Sequence, residues 1–241
     1  MTTLGIIQAR MGSTRLPGKV LRRLGGRTVL DRVVRAARES GVLDDLVVAT
    51  TVEPDDDAVT AACAAIGVDC HRGPVDDVLT RFLGVLETRS AEHVLRFTAD
   101  CPLLDPRLVA RAYRVFAASG ADYLTTSITR TLPRGLDVEV IRAAVLKEID
   151  KPAYDHHRTH VTSYVYTHPA AFDVIGLTVL PDLSHLRLTL DTEDDWRLIE
   201  AIVGHFGDAP VPVTAIADWL GGRPELAGLN AHIRQKELEQ A

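Results

Sequence analysis

Several features that would define other protein classes are missing from this sequence. There is no stretch of about 18 apolar residues, so no segment has the length and character of a membrane-spanning helix. The N-terminus also lacks the basic segment, apolar core and cleavage site of a secretory signal. We therefore expect a cytoplasmic protein that does not associate with a membrane.

Cysteine is scarce, with 3 residues in the chain. Cys63, Cys70 and Cys101 are scattered, odd in number and without CxxC spacing. This pattern favours free, structural thiols in a reducing compartment over a disulfide framework.

A broad basic surface is also absent, because the chain carries a formal net charge of -6. That balance argues against a nucleic-acid partner, which needs a wide positive face. A small anion is not excluded, since a local cluster can bind phosphate whatever the overall sign of the charge. Basic residues do crowd the first thirty positions: Arg10, Arg15, Lys19, Arg22, Arg23 and Arg27.

Short apolar runs alternate with helical patterns over residues 1–120. Near-continuous apolar strands separated by helices are typical of a parallel sheet covered on both faces. The predicted strands are "LGIIQA", "LVVATTV", "VDCHR" and "HVLRFTA". The predicted helices are "TVLDRVVRAARES" with Thr28 as N-cap, a segment from about residue 56 to 66, "DDVLTRFLGVLE", and one that follows Asp105 and Pro106.

This rhythm changes after about residue 120. The pattern predicts strands at "ADYLTTS" and "LDVEVI", a His-rich helix over 153–167, a long β segment from "FDVIGLTVL" to "LRLTLD", and a helix at "TEDDWRLIEAIVGHF". We interpret the chain as a single domain over residues 1–241, because no linker is long enough to divide it. Its parts would be a nucleotide-binding half (1–120), an acceptor-binding and probable dimer-contact half (121–191), and C-terminal helices (192–241).

The loop after the first strand has the composition of a phosphate-binding loop. Ligands of open parallel sheets bind beyond the carboxyl ends of the strands, and this loop begins there. Gly12 and Gly18 permit close approach of the backbone to an anion. Five residues separate these glycines and Val20 follows Lys19, which excludes a Walker A motif; no GxGxxG is present either. A solvated basic loop is the alternative interpretation.

Two aspartates follow predicted strands directly. Asp100 ends "RFTAD" and Asp191 ends "LRLTLD". A carboxylate at a strand end suits Mg²⁺, which takes one or two carboxylates and completes its shell with water and phosphate oxygens. For Asp191, capping of the following helix is a strong alternative. We assign Asp105, which precedes Pro106, to helix capping.

The histidines of "HHRTH" do not form a zinc motif. His156 and His160 are four residues apart, but the spacing is not HExxH and no third ligand is evident. "DDD" at residues 55–57 is poorly placed for the DxD motif of a glycosyltransferase, because it lies beyond the second strand and before a helix.

Six blocks make the sequence recognisable: "IIQARMGSTRLPGKVL", "RGPVDDVLTRF", "RFTADCPLLDP", "LPRGLDVEV", "HVTSYVYTHPAAF" and "RLTLDTEDDW". In this order they closely resemble the cytidylyltransferases that activate acidic sugars, most of all the spore coat polysaccharide biosynthesis protein F type. CMP-KDO and CMP-acylneuraminate synthetases are related to that type. The resemblance implies a Rossmann-like three-layer α/β/α nucleotide-diphospho-sugar transferase fold, with a mostly parallel sheet and a smaller mixed β addition.

The resemblance also implies an activity and a set of roles. The expected reaction is Mg²⁺-dependent transfer of CMP from CTP to an acidic sugar or sugar-like acceptor, with release of pyrophosphate. The resemblance also implies that the protein forms a homodimer. The implied catalytic residues are Arg10, Arg15 and Lys19. The implied nucleotide-binding residues are Ala9, Gly12, Ser13, Asp77, Arg81 and Thr98. The implied acceptor-binding residues are Arg134, Asp137, Glu139 and His160. The implied metal ligands are Asp100 and Asp191.

Alternatives remain at several of these positions. The KDO and acylneuraminate relatives have Gln where this chain has Thr98. Asp77 is equally well placed as a first-turn helix residue. From their alternation alone, Asp137 and Glu139 would be solvent-facing. Other activities open to this fold are transfer from another NTP to a sugar 1-phosphate, glycosyl transfer, and nucleotide sensing without catalysis.

Overall fold

The structure, a computed structural model, describes residues 1–235. Its strands are β1 (Thr3–Gln8), β2 (Arg23–Leu24), β3 (Arg27–Thr28), β4 (Asp45–Thr51), β5 (Asp69–Gly73), β6 (His93–Thr98), β7 (Tyr123–Thr125), β8 (Glu139–Arg142) and β9 (Val174–Gly176). Its α-helices are α1 (Val29–Glu39), α2 (Asp57–Ala65), α3 (Val78–Thr88), α4 (Pro106–Ser119), α5 (Ala143–Glu148), α6 (His156–Thr159), α7 (Ser163–Thr167), α8 (Glu193–Phe206), α9 (Val213–Gly221) and α10 (Pro224–Ala227).

Seven of the strands form one sheet in the order β5-β4-β1-β6-β8-β7-β9. Strand β1 is parallel to both β4 and β6, and β4 is parallel to β5. Strand β8 is antiparallel to β6 and β7, and β9 is parallel to β7. A mostly parallel sheet with a mixed addition is therefore confirmed, and β8 joins the second half of the chain directly to the first.

Alternation along β1 explains the three layers. Ile7 packs on one face of the sheet with α1, α4, α8 and α9, whereas Leu4 and Ile6 pack on the other face with α3 and α5. Because successive strand side chains point to opposite faces, an almost continuous apolar run is needed to fill both cores. Helices therefore cover both sides of the sheet.

Helix capping follows the sequence closely. The Thr28 side chain accepts a hydrogen bond from the Asp31 backbone N–H, and that of Asp105 accepts one from Arg107 N–H. Both residues are N-caps, as predicted. Helix α8 begins with a capping box between Thr192 and Asp195, so Asp191 is not its cap.

Two segments of the second half differ from the sequence prediction. The His-rich segment forms two short helices, α6 and α7, because Val161 has φ 28° between them, which a continuous right-handed helix does not allow. Of the long β segment, only β9, which pairs with β7, is a strand. The part near Asp191 makes a single parallel bridge, between Arg187 and Arg134, so the prediction that Asp191 ends a strand is wrong.

The C-terminal part contains α8, α9 and α10, in keeping with the predicted C-terminal helices, whose last residues, 236–241, lie outside the described part of the chain. Across residues 1–235, no helix is long and apolar enough to cross a membrane.

Candidate active site

A cleft of about 460 Å³ opens where β1 and β6 end. Gln8 and Thr98 are the last residues of these two strands and lie side by side in the sheet. Most residues predicted for the site line this cleft: Ala9, Arg10, Gly12, Ser13, Arg15, Lys19, Arg81, Thr98, Asp100, Arg134, Asp137, His160 and Asp191. Asp77 and Glu139 do not.

The loop from residue 10 to 19 is held by its own backbone. The N–H groups of Ser13 and Gly18 both donate to the Met11 carbonyl, and Met11 N–H donates to Asp56 Oδ1 at 2.6 Å. Gly18 has φ 64°, a left-handed conformation that favours glycine. The chain turns there into a short 3₁₀ helix that places Lys19 in the interior.

The Lys19 ammonium joins two segments that are distant from each other in the sequence. Its Nζ donates to Asp100 Oδ2 at 2.8 Å, to Asp191 Oδ1 at 2.9 Å and to the Leu190 carbonyl at 2.7 Å. Lys19 is 8% exposed, and three acceptors use all three of its N–H donors. The two predicted metal ligands therefore converge on one point, where a lysine already neutralises them.

The electrostatic balance favours the charged forms of Lys19 and Asp191. Burial by itself would lower the pKa of Lys19, but Asp100 and Asp191 outweigh it and raise that pKa above its ordinary value. Burial would raise the pKa of Asp191, but Lys19, Arg15 and Arg187 outweigh it and lower that pKa. A charged ammonium and an ionised Asp191 carboxylate therefore coexist at the floor of the cleft.

Arg187 and Asp195 support Asp191 from below, and sequence reasoning did not identify either. Arg187 Nη2 donates to Asp191 Oδ2 at 2.7 Å, and its Nε donates to Asp195 Oδ1 at 2.9 Å. Asp195 is fully buried and also accepts from the backbone N–H of Asp191 and Thr192. Arg15 reaches Asp191 Oδ2 at 3.3 Å from the cleft side. The i, i+4 spacing of Arg187, Asp191 and Asp195 was the available signal.

On the opposite wall, Arg81 is almost completely buried on α3. Its Nη2 donates to the Val75 carbonyl at 3.2 Å, while its buried Nε has no hydrogen-bond partner among the described residues. Burial, and secondarily the charge of Arg10, lower the pKa of Arg81 to about 10. A buried donor without a partner in a residue that lines a cleft is suited to a ligand oxygen or nitrogen.

Asp77 has a structural position beside this wall. Its carboxylate caps α3 by accepting from Thr80 N–H at 2.8 Å, and it pairs with Arg158 Nε at 2.6 Å. The alternative first-turn interpretation therefore describes its contacts better than a direct role in reading the base, because both carboxylate oxygens are engaged with the protein.

Glu139 also lies away from the cleft. It pairs with Arg96 inside the protein and accepts from the hydroxyl groups of Tyr123 and Thr162, at 3.0 and 2.5 Å. The predicted contact of Glu139 with an acceptor is not supported by this position. The period-two pattern predicts that Glu139 faces the same side as Asp137, but β8 begins only at Glu139, whose carboxylate lies among Arg96, Tyr123 and Thr162.

Arg134 and Asp137 line the cleft at the end that the second half supplies. Arg130 Nη1 donates to Asp137 Oδ1 at 2.7 Å. Gly135, at φ 98°, lies so close to the Leu188 and Thr189 backbone that any side chain there would clash. This close approach brings the turn that carries Arg134 against the segment that leads to Asp191. His160 lines the same cleft, after the short helix α6.

Gln8, Cys101 and Gln235 line the cleft too, although the sequence did not single them out for it. The Oε1 of Gln8 accepts from Arg96 Nε at 3.1 Å. Cys101 is one of three free cysteines, and burial raises the pKa of its thiol well above the ordinary value.

The carboxylates of this cleft suit a magnesium ion better than a metal that needs many protein ligands. No group of three or more His, Cys, Asp or Glu side chains with metal-binding geometry occurs in residues 1–235. Two carboxylates are enough for Mg²⁺ when phosphates and water complete the shell. Asp100 is the more accessible ligand: its Oδ2 accepts from Lys19, and its Oδ1 is 3.6 Å from the Cys101 sulfur, a weak donor.

Comparison with known proteins places this geometry in a family. A family model described as cytidylyltransferase matches residues 4–200. The spore coat polysaccharide biosynthesis protein SpsF of Bacillus subtilis is 36% identical over 234 residues, covering 93% of this chain and 96% of that protein.

Two solved structures are similar to this chain, one in both sequence and fold and the other in fold alone. A cytidylyltransferase from Leptospira borgpetersenii superposes with a TM-score of 0.91 at 28% identity, covering 98% of this chain and 100% of that one. A CMP:2-keto-3-deoxy-manno-octonic acid synthetase complexed with CTP has a TM-score of 0.66 at 17% identity, covering 85% and 99%. At that identity, the second likeness concerns the fold alone.

Proposed function

The chain belongs to the cytidylyltransferase family and is therefore a CTP-dependent nucleotidyltransferase, and we propose that it transfers CMP to an acidic sugar or sugar-like acceptor with Mg²⁺. The observation that carries the proposal is the convergence of Asp100, Asp191 and Lys19 in one cleft. The basic loop after β1 closes over the same point. This arrangement combines a phosphate-binding loop with one carboxylate just beyond the end of β6 and a second just before α8.

Charge counting supports a role for Mg²⁺. Around the floor of the cleft, the cations Lys19, Arg15 and Arg187 face the anions Asp100, Asp191 and Asp195, so the group is close to neutral before a ligand enters. A nucleoside triphosphate adds several negative charges. When bound by Asp100 and Asp191, Mg²⁺ would supply positive charge at the phosphate oxygens and hold them in place.

The reaction needs no covalent intermediate with the protein. An acceptor oxygen attacks the α-phosphorus of CTP, a new P–O bond forms, and the bond to the bridging oxygen breaks to release pyrophosphate. Negative charge spreads over the phosphoryl oxygens in the transition state, so fixed cations and N–H groups lower the barrier. We assign Arg10 to the α-phosphate and Arg15 to the departing pyrophosphate, while Lys19, whose three N–H donors are used within the protein, would contribute positive charge near the α-phosphate. Gly12 and Ser13 supply N–H or hydroxyl donors.

Recognition of the base and of the acceptor would come from opposite ends of the cleft. Arg81, the backbone around Ala9 and Thr98 line the cleft together, and we assign them to the base. Arg134 suits an acceptor carboxylate, and Asp137 suits its hydroxyl groups. His160 is proposed as a donor or general base toward the acceptor.

The proposed acceptor class rests on related proteins. SpsF is named for polysaccharide biosynthesis, and the CTP complex is of an enzyme named for a keto-deoxy sugar acid. A sugar acid, another sugar, a cyclitol or a phosphonate would each fit a polar cleft of about 460 Å³. We also propose that the protein is cytoplasmic and forms a homodimer. Sedimentation at several protein concentrations tests the oligomeric state.

Calorimetric titration with CTP, ATP, GTP and UTP, each with and without Mg²⁺, tests the nucleotide half of the proposal. We expect selective CTP binding that Mg²⁺ strengthens. Pyrophosphate release on adding a panel of sugar acids, beginning with 3-deoxy-manno-octulosonate, then tests the acceptor class. Selective binding of another nucleotide would overturn the proposed base preference, and Thr98 would be the first residue to exchange.

The metal assignment is tested with Asp100→Asn. We expect this variant to fold normally but to lose the Mg²⁺-dependent gain in CTP affinity and nearly all turnover. Asp182→Asn, which alters an exposed carboxylate outside the cleft, is the matched control. Full Mg²⁺-dependent activity of Asp100→Asn would remove Asp100 from the metal site.

A further inference from the structure

The chain from α10 to Gln235 is fastened to the back of the active site. Asn230 is 2% exposed, and its Nδ2 donates to Asp195 Oδ1 at 2.8 Å and to the Arg187 carbonyl at 3.0 Å. Asp195 and Arg187 are the residues that support Asp191. The C-terminal segment is therefore tied, through one buried amide, to the group that holds a carboxylate of the cleft.

Arg187 is engaged mainly with protein partners. Its Nε and Nη2 donate to Asp195 and Asp191, and its Nη1 donates to Gln235 Oε1 at 2.9 Å. Four of its five N–H donors are thus used within the protein, and Arg187 does not line the cleft, so we do not assign it as a phosphate ligand. It acts as a positioning residue that fixes Asp191 on one side and Gln235 on the other.

This contact decides which way the Gln235 amide faces. A guanidinium can only donate, so the limb of the amide that contacts Arg187 must be the oxygen. The Nε2 limb, with its two N–H donors, is then the part of the side chain that Arg187 leaves available, and Gln235 is one of the residues that line the cleft. Sequence alone could not show this, because Arg187 and Gln235 are 48 positions apart.

The surroundings of Gln235 indicate which ligand group it meets. Arg187 links it to Asp191 Oδ2, the same oxygen that Arg15 approaches from the cleft. Arg15 is the residue that we assign to the pyrophosphate half of CTP. Gln235 and Arg15 line the same cleft, and a neutral double donor there suits phosphate oxygens, which accept hydrogen bonds and are repelled by carboxylates.

We propose that Gln235 is a ligand for the β- and γ-phosphates of CTP and for the pyrophosphate product. Arg187, which contacts Asn230 through its carbonyl group, holds the Gln235 side chain in place. This inference rests on the proposed function, since it concerns the same cleft. It makes the C-terminal segment part of the nucleotide site rather than an appendage to the sheet, and it gives Asn230 a role in binding although Asn230 lies behind the cleft wall.

The test compares binding of CTP, CMP and inorganic pyrophosphate by calorimetry in the full-length chain. Gln235→Met keeps the size of the side chain and removes both the donor and the acceptor. We expect about a tenfold loss of affinity for CTP and for pyrophosphate, the range of one hydrogen bond to a charged group, with CMP binding changed less than twofold. Gln235→Glu keeps an oxygen on Arg187 but brings negative charge toward the phosphates, so we expect a larger loss.

Two further variants separate positioning from general damage. Glu225→Gln, in the same C-terminal segment and exposed, should bind all three ligands like the unaltered chain. Asn230→Ala should weaken CTP and pyrophosphate in the same selective way. If Asn230 acts through Gln235, the loss in the double variant with Gln235→Met will be smaller than the product of the two single losses.

The possible failures are distinguishable. If the unaltered chain binds CTP but Gln235→Met binds CTP and pyrophosphate equally well, this inference alone is overturned. An equal loss for CTP and CMP would also overturn it, because the contact would then not be to the terminal phosphates. If the unaltered chain does not bind CTP at all, the proposed function fails and this inference fails with it.

Discussion

Lys19 and Asp100 are separated by 81 positions in the chain, yet the ammonium of one lies 2.8 Å from the carboxylate of the other. The same ammonium contacts Asp191. Lys19 therefore holds together the ends of segments that would otherwise bring two negative charges close to each other.

Replacing Lys19 with Met should show how strongly the stability of the fold depends on the contacts of Lys19 with the two carboxylates. Removal of one partner from a buried ion pair leaves uncompensated charge, and we expect the free energy of unfolding to fall by about 3–5 kcal/mol. Because Mg²⁺ can neutralise the two carboxylates, it should raise the Tm of Lys19→Met more than that of the unaltered protein. Thermal unfolding with and without Mg²⁺ measures both effects. Lys147→Met, at an exposed position, is the control; an equal response to Mg²⁺ in all three proteins would contradict the prediction.

Arg15→Ala should separate triphosphate binding from nucleoside binding. Arg15 approaches Asp191 Oδ2 from within the cleft and is assigned to pyrophosphate. We expect CTP affinity to fall by roughly tenfold or more while CMP affinity changes little, since one charge-assisted contact is lost. Titration of both nucleotides measures the difference, with Arg23→Ala as the control for a basic residue outside the cleft. Equal losses for the two nucleotides would move Arg15 away from the terminal phosphates.

Asp77→Asn tests the structural interpretation of Asp77 through its pH dependence. Burial would raise the pKa of Asp77, but hydrogen bonds from Arg158 and Thr80 lower it below the ordinary value. A carboxyl group whose pKa is lower in the folded state than in the unfolded state stabilises the fold at pH values above the unfolded-state pKa of about 3.9. This stabilisation disappears as the pH falls through the pKa of the folded state.

Asn retains the ability to cap α3, so only the ion pair with Arg158 is lost in this variant. We expect a destabilisation of up to about 1 kcal/mol at pH 7 that disappears as the pH falls through the lowered pKa of Asp77, as measured by urea unfolding. CTP affinity should be unchanged. A clear loss of CTP affinity with unaltered stability would instead return Asp77 to the nucleotide site.

Glu139→Gln should act on stability rather than on the acceptor. Glu139 pairs with Arg96 in the interior, and the variant leaves that guanidinium without its counter-ion. We expect the free energy of unfolding to fall by about 3 kcal/mol, against no measurable change for the exposed Glu148→Gln. Denaturant unfolding tests this. Unchanged stability with an impaired acceptor KM would contradict the position of Glu139 away from the cleft.

Much of the fold followed from local patterns. Apolar runs of strand length and amphipathic helices fixed the alternation in the first half, and the capping residues Thr28 and Asp105 marked where helices begin. The second half was harder to predict. A helix over 153–167 is broken at Val161, and most of the expected β segment after residue 172 has no strand beside it, because strand formation depends on a partner that local sequence does not specify.

The candidate site divides in the same way. The basic loop and Asp100 could be identified from the sequence, since a phosphate-binding loop and a carboxylate just after a strand both have local signatures. Asp191 was identified from a strand that does not form. The local patterns at Asp77 and Glu139, a first-turn helix position and a polar alternation, did not reveal the internal partners of these carboxylates. Their arginine partners, Arg158 and Arg96, are 81 and 43 positions away.

The sequence by itself determined the order of strands and helices in the first half, the family and the basic loop at the end of β1, because these depend on neighbouring residues. Only the tertiary structure decided which carboxylates contact Lys19 and which form ion pairs with internal arginines. It also decided that Arg187 and Asp195 lie behind the cleft and that Gln235 lines it. The physical reason is that a buried charge must be paired, and its partner is selected by the packing of the whole sheet rather than by its neighbours in the chain.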